Sequence, residues 1–171
     1  MKLQDHTEGR LKNKEIAAYI AGFLDGDGSV RIQFQPRKDT LRVRAVVSFA
    51  QKWGKEKEMR WIRSQLGIGY LYQRNDHITE LRIEGHETVE RVLKKLQPHI
   101  LLKKKQVATV LQILQILKKD NADLREIAKL ADKISRLNYV TVKKKYTGKY
   151  IKRFLKSHTP VTTEDKTIEN S

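Results

Sequence analysis

Apolar and polar residues are distributed along this chain in patterns that predict its elements one after another. Over residues 14–24 the stretch Ile16-Ala17-Ala18-Tyr19-Ile20-Ala21-Gly22-Phe23-Leu24 is apolar on every side, which predicts a helix buried all round. Within and just beyond it Ala18, Gly22 and Gly26 recur every four residues. They fall on one face, and a face that small lets a second helix come very close. The period then changes to two. Val30, Ile32 and Phe34 point one way while Arg31, Gln33 and Gln35 point the other, predicting a strand over residues 30–34. After a turn at 36–40 the alternation resumes over 41–49. Leu41, Val43, Ala45, Val47 and Phe49 lie on the apolar side, and Arg42, Arg44 and Ser48 on the polar one. A helix is predicted over 55–66, closed by Gly67 as its C-cap. Strands follow over 69–74 and 78–84, joined by Asn75 and Asp76, and then a helix over 87–96 that Pro98 ends.

The remainder reads as helical. Val107, Val110, Leu111, Leu114 and Leu117 stand at helical spacing over 103–117, and Leu124, Ile127, Leu130, Ala131 and Ile134 do so over 123–137. A short helix is predicted over 149–156, followed by a polar tail expected to fray. The expected organisation is an N-terminal extension over 1–13, one domain over 14–157 and a C-terminal tail over 158–171. Helix, two strands, helix, two strands and helices make an α+β fold whose four strands form an antiparallel sheet with a polar face. There is no internal repeat and no low-complexity linker.

Charge narrows the partner. The 171 residues hold 36 Lys and Arg against 20 Asp and Glu, a formal net charge of +16. That excess points to a polyanion, either nucleic acid or an anionic membrane surface. With 39% hydrophobic residues the chain is not a disordered basic tail. The absence of cysteine excludes disulfides, thiolate zinc sites and thiol catalysis. Residues 1–13 carry Lys2, Asp5, Glu8 and Lys12 without an apolar core, so no secretory leader is expected. No apolar run reaches the roughly 20 residues that span a bilayer, and no helix is a clean basic amphipath. Nucleic acid is the expected partner, and a membrane is not.

The candidate chemistry lies where the first helix ends, in Asp25-Gly26-Asp27-Gly28-Ser29. Carboxylates at such a junction suit hard divalent cations that prefer oxygen ligands, and glycines let the backbone turn and approach a ligand. An aspartate–glycine run is also the ordinary material of a turn. A calcium loop is excluded, because that pattern wants Asp or Asn at Ser29, Gly at Val30 and Glu at Pro36.

The longer string Ile20-Ala21-Gly22-Phe23-Leu24-Asp25-Gly26-Asp27-Gly28 resembles the LAGLIDADG motif of homing endonucleases, position for position. Gln51-Lys52, Leu66-Gly67-Ile68-Gly69-Tyr70, Leu96-Gln97-Pro98 and Lys103-Lys104-Lys105-Gln106 extend the likeness to the small, single-motif, homodimeric members, over about residues 14 to 140. The resemblance implies an αββαββα core with additional C-terminal helices, in which the sheet binds DNA. It implies that Asp27 is the metal ligand, joined by the Gly26 carbonyl. Gln51 would arrange active-site water, Lys103 would stand near the scissile phosphate, and Lys55 would supply a further basic group. Asp25 would cap or orient the helix end rather than bind metal. The chain has a single copy of the motif, so two Asp27 carboxylates would come together by packing the Ala18, Gly22 and Gly26 faces across a twofold axis. The expected cofactor is Mg2+, two or three ions shared across the dimer, with Mn2+ or Ca2+ able to replace it in binding.

The polar side of the predicted sheet is the expected reader of double-stranded DNA. It offers Arg31, Gln33, Gln35 and Arg37, then Arg42, Arg44 and Ser48, then Tyr72 and Arg74, then Glu80, Arg82 and Glu84. A twisted ribbon fits the major groove, where Arg reads guanine edges and Gln reads adenine edges. Arg31, Arg37, Arg42 and Arg44 are expected to lack an acidic partner on that face. Lys118, Lys119, Lys143, Lys144 and Lys145 are expected to hold backbone phosphate. The expected activity is a metal-dependent, staggered double-strand cut in a long pseudo-palindromic site, promoting mobility of a host intron. It would take place inside the cell, in the compartment that holds the host genome. The other readings are an RNA maturase that binds the host intron, and a DNA-binding regulator without catalysis.

Overall fold

Asn13 starts the first helix, its side-chain oxygen accepting the Glu15 and Ile16 N–H groups at 2.8 and 3.3 Å as an N-cap should. In this computed structural model, which describes residues 13–38, 40–138 and 148–157, helix α1 spans Lys14–Asp27. It ends three residues later than the apolar pattern suggests, so the motif's aspartates and Gly26 occupy its last turn. Gly28 then turns the chain straight into strand β1, Gly28–Pro36. A Cβ on Gly28 would lie 2.7 Å from the Leu24 Cα and carbonyl oxygen, so only glycine permits this loopless junction.

β2 covers Leu41–Lys52 and α2 Glu56–Leu66. Gly67 closes α2 at φ 71, its N–H donating to the Arg63 carbonyl, as the sequence leads one to expect. β3 is Tyr70–Gln73, β4 is Ile78–Glu84 and α3 is His86–Leu96. A 3-10 turn, Gln97–His99, leads towards α4, Lys104–Leu117, which is followed by α5, Leu124–Leu137, and α6, Gly148–Ser157. The four strands form one antiparallel sheet in the order β1-β2-β4-β3.

Alternation sorts the sheet into two faces. Val30, Ile32, Phe34, Val43, Val47, Phe49, Leu81 and Ile83 are buried against the helices, with Phe23 of α1 stacked on Phe49 at 5.6 Å. The opposite face carries the arginines. Val46 also falls on that side, level with Arg31 and Glu84. It is nevertheless fully buried and stands outside the main core, which leaves the stems of the polar layer to cover it.

α1 is not buried all round. Ala17, Ile20, Ala21 and Leu24 are covered, whereas Ala18, Tyr19, Gly22 and Gly26 are exposed. One chain supplies packing partners to only one side of α1, chiefly β2, β1 and α3. No helix among the described residues is long and apolar enough to cross a membrane.

Candidate active site and nucleic-acid interface

The last turn of α1 places two carboxylates in different surroundings. Asp25 is buried and points at the start of α4. Its Oδ2 accepts the backbone N–H of Leu101 at 2.6 Å and of Leu102 at 3.0 Å, while Oδ1 accepts that of Lys103 at 2.9 Å. These donors lie in the turn that leads into α4, so Asp25 fixes that turn against the end of α1. Burial works against its ionisation, but the three N–H donors and the Lys103 ammonium outweigh that and hold its carboxyl below the ordinary carboxylate range.

Asp27 is exposed. Its Oδ2 accepts a 2.6 Å hydrogen bond from Gln51 Nε2. Gln51 can reach it because β2 runs three residues past the predicted end, with Gln51 paired to Thr79 of β4. Lys103 Nζ donates to the Asp25 carbonyl and, at 3.4 Å, to that of Gly26. Burial lowers the pKa of this ammonium, opposed by the negative charges of Asp25 and Asp27. Asp27, Gly26, Gln51 and Lys103 therefore converge from α1, β2 and the start of α4. Lys55 stands at the N-cap of α2, where its carbonyl accepts the Met59 N–H, and its side chain is exposed.

The donor set suits a hard cation, with a carboxylate and a main-chain carbonyl, both oxygen. Among the described residues there is no group of three or more His, Asp or Glu side chains that could hold a metal ion. One chain thus offers Asp27 and Gly26 and little more.

On the polar sheet face the expectation of arginines without acidic partners is overturned for Arg31 and Arg44. Arg31 of β1 donates to Ser29 and Ser48 at 3.2 and 3.1 Å and pairs with Glu80 of β4 at 3.3 Å. Arg44 of β2 pairs with Glu84 of β4. Strand order is the reason. β4 lies beside β2, so its glutamates enter a face that β1 and β2 alone make entirely basic. Glu80 also accepts from Tyr72 at 3.2 Å and lies 3.6 Å from Arg74, which bonds Asp76 at 2.6 Å. Arg82 reaches Glu84 at 2.5 Å and donates to Gln33 at 3.0 Å. Ser48 is buried beneath Arg31, so it supports the face rather than forming its surface. Arg37 is exposed, and Gln35 lies across from Arg42. Lys118 is engaged with Glu90 at 2.6 Å. Lys143, Lys144 and Lys145 lie outside the described residues.

The family described as LAGLIDADG endonuclease matches residues 20–111. The chain belongs to that family. This LAGLIDADG endonuclease is 36% identical over 125 residues to DNA endonuclease I-CvuI of Chlorella vulgaris, covering 70% of this chain and 78% of that enzyme. It is 31% identical over 133 residues to DNA endonuclease I-CreI of Chlamydomonas reinhardtii, covering 74% and 80% of the two. A crystal structure of I-CvuI with the I-CreI target in the presence of 2 mM Mg, its DNA not cleaved, superposes with a TM-score of 0.79 at 30% identity. The match spans 86% of this endonuclease and 96% of that chain.

Two features of the endonuclease escape a reading of the sequence. Glu56 bonds the Gly54 N–H, Thr79 and Gln73, tying the β2–α2 turn to the sheet. The Asp25 bonds to the turn before α4 join residues 76 or more apart in sequence, and no local signal announces them.

Proposed function

We propose that the chain is a site-specific homing endonuclease that works as a homodimer on double-stranded DNA. The observation that carries this reading is the convergence of Asp27, Gln51 and Lys103 at the end of α1, directly beside that helix's open small-residue face. A Cβ on Gly22 or on Gly26 would meet nothing within 4 Å. The absent side chains therefore make no room for anything in their own chain, and a second copy is the occupant that also supplies a second Asp27. Tyr19 on the same helix, 61% exposed, and Leu101 and Leu102, held beside its end by Asp25, are large apolar groups that such a partner would cover.

Asp27 and the Gly26 carbonyl of each copy would hold two or three divalent cations, Mg2+ by preference, with Mn2+ or Ca2+ replacing it in binding. Bound there, the ions supply Lewis-acid charge to the phosphodiester and lower the pKa of the attacking water. Gln51 fixes the Asp27 carboxylate through its amide N–H and keeps its own carbonyl to orient water. Lys103 stands within reach of the charge that grows on the phosphate in an in-line displacement. Each copy cuts one strand, which yields a staggered break. The twofold axis calls for a pseudo-palindromic target, and a cut in an intronless allele would promote spread of the host intron. The enzyme acts in the compartment that holds that allele.

The test compares wild type with Asp27→Asn. The variant is expected to bind DNA as wild type does and to lose cleavage with Mg2+ altogether. Retained cleavage would remove Asp27 from its role, and tight binding to structured intron RNA without cleavage would favour an RNA maturase.

A further inference from the structure

The sheet face holds two carboxylates that a DNA-binding surface does not need for affinity. We propose that Glu80 and Glu84 are specificity-determining residues: they hold four arginines on the protein until a base edge offers equivalent hydrogen bonds in return. The inference rests on the reading of this face as the DNA-binding one.

Both clusters are built alike. Glu80 takes Arg31 from β1 and Arg74 from beyond β3, and Glu84 takes Arg44 from β2 and Arg82 from β4. Most such pairs on a protein surface are worth little, but these acids are not exposed. The Glu80 side chain is 4% accessible and that of Glu84 16%. A carboxylate so enclosed is costly to leave without a partner. The arginines keep part of their side-chain surface, 26% for Arg31, 24% for Arg44, 43% for Arg74 and 18% for Arg82, enough to present N–H groups outward.

That arrangement treats two kinds of DNA contact differently. A phosphate that pulls an arginine away gives nothing back to the glutamate. A guanine edge needs two donors, and a guanidinium has five, so the arginine reads the base while another N–H stays on the glutamate. Contacts to the wrong sequence therefore carry a penalty that contacts to the right one avoid, and specificity is that difference. Val46, buried on the same face, belongs to a layer already packed before DNA arrives.

The experiment uses the full chain in EDTA, so that nothing is cut. Wild type first selects a duplex from a random library; its affinity and that for a scrambled duplex of equal composition are then measured for wild type, Glu80→Gln and Glu84→Gln. Glu126→Gln, on the exposed first turn of α5, is the charge control. The glutamine variants are expected to bind the scrambled duplex about three- to tenfold more tightly and the selected duplex within about twofold of wild type. Reselection with each variant should relax at a few base pairs only, and Glu126→Gln should change nothing. Unchanged discrimination would overturn the inference, as would loss of the selected duplex alone, which would make the glutamates direct readers of cytosine. If Glu80→Gln lowers the melting temperature by more than a few degrees, Glu84→Gln decides alone. Wild type that selects no duplex would instead sink the DNA-face reading, and this inference with it.

Discussion

Asp25 and Asp27 are two residues apart, yet three backbone N–H groups surround the first and a single side-chain amide reaches the second. Asp25→Ala would strand those donors at a buried site and is expected to lower stability by about 2–3 kcal/mol in urea unfolding, with Lys103 losing its anchor. Asp27→Asn is expected to leave stability alone. A second buried carboxylate sets a pH response. Lys118 and Lys94 bond Glu90 at 2.6 and 2.7 Å, and these bonds bring its pKa down from 4.5 to about 2. A carboxyl lowered on folding contributes stability that is complete above its unfolded pKa and drains away as pH falls towards the folded one. Wild type should therefore lose melting temperature between about pH 5 and pH 2, while Glu90→Gln flattens that part of the profile. Since both lysines are half exposed, the contribution is about 2 kcal/mol at most. A profile identical in the two proteins would show that the pair adds nothing.

Elements were the most legible level. Every predicted helix and strand is present, because each carries its own period: two for Val30, Ile32 and Phe34, and 3.6 for Val107, Val110 and Leu114. The ends were less so. α1 continues through Asp27, and β2 through Lys52, where helix end and strand length are settled by tertiary partners. Asp27, Gln51 and Lys103 were legible through family likeness, and their meeting needs that extended β2. Glu80 and Glu84 were legible on the polar face, but their pairing with Arg31 and Arg44, 49 and 40 residues away, was not, since it depends on β4 lying beside β2. The small-residue side of α1 was legible as a face for a second helix, and it stands open in the single chain. Gly22→Leu tests what covers it. Because a Cβ there meets nothing within the chain, the variant is expected to stay folded, with far-ultraviolet circular dichroism unchanged. It should sediment as a monomer and lose cleavage, whereas a Gly22→Leu protein that sediments like wild type would remove α1 from the subunit contact.

Over the whole molecule, the net charge of +16 supplies long-range attraction to DNA, and on the sheet face Arg31 and Arg44 are paired with Glu80 and Glu84. The helices on the other side hold α1 so that its end, β2 and the start of α4 deliver one carboxylate, one amide and one ammonium to a single place. The measurement that tests this account most directly is cleavage of a plasmid library carrying intronless gene sites, with Mg2+, by wild type and Asp27→Asn side by side. Linear DNA from wild type alone, with staggered ends that map to one site and vanish in EDTA, is the expected result. Linear product from both proteins, or nicks at unrelated positions, would contradict it.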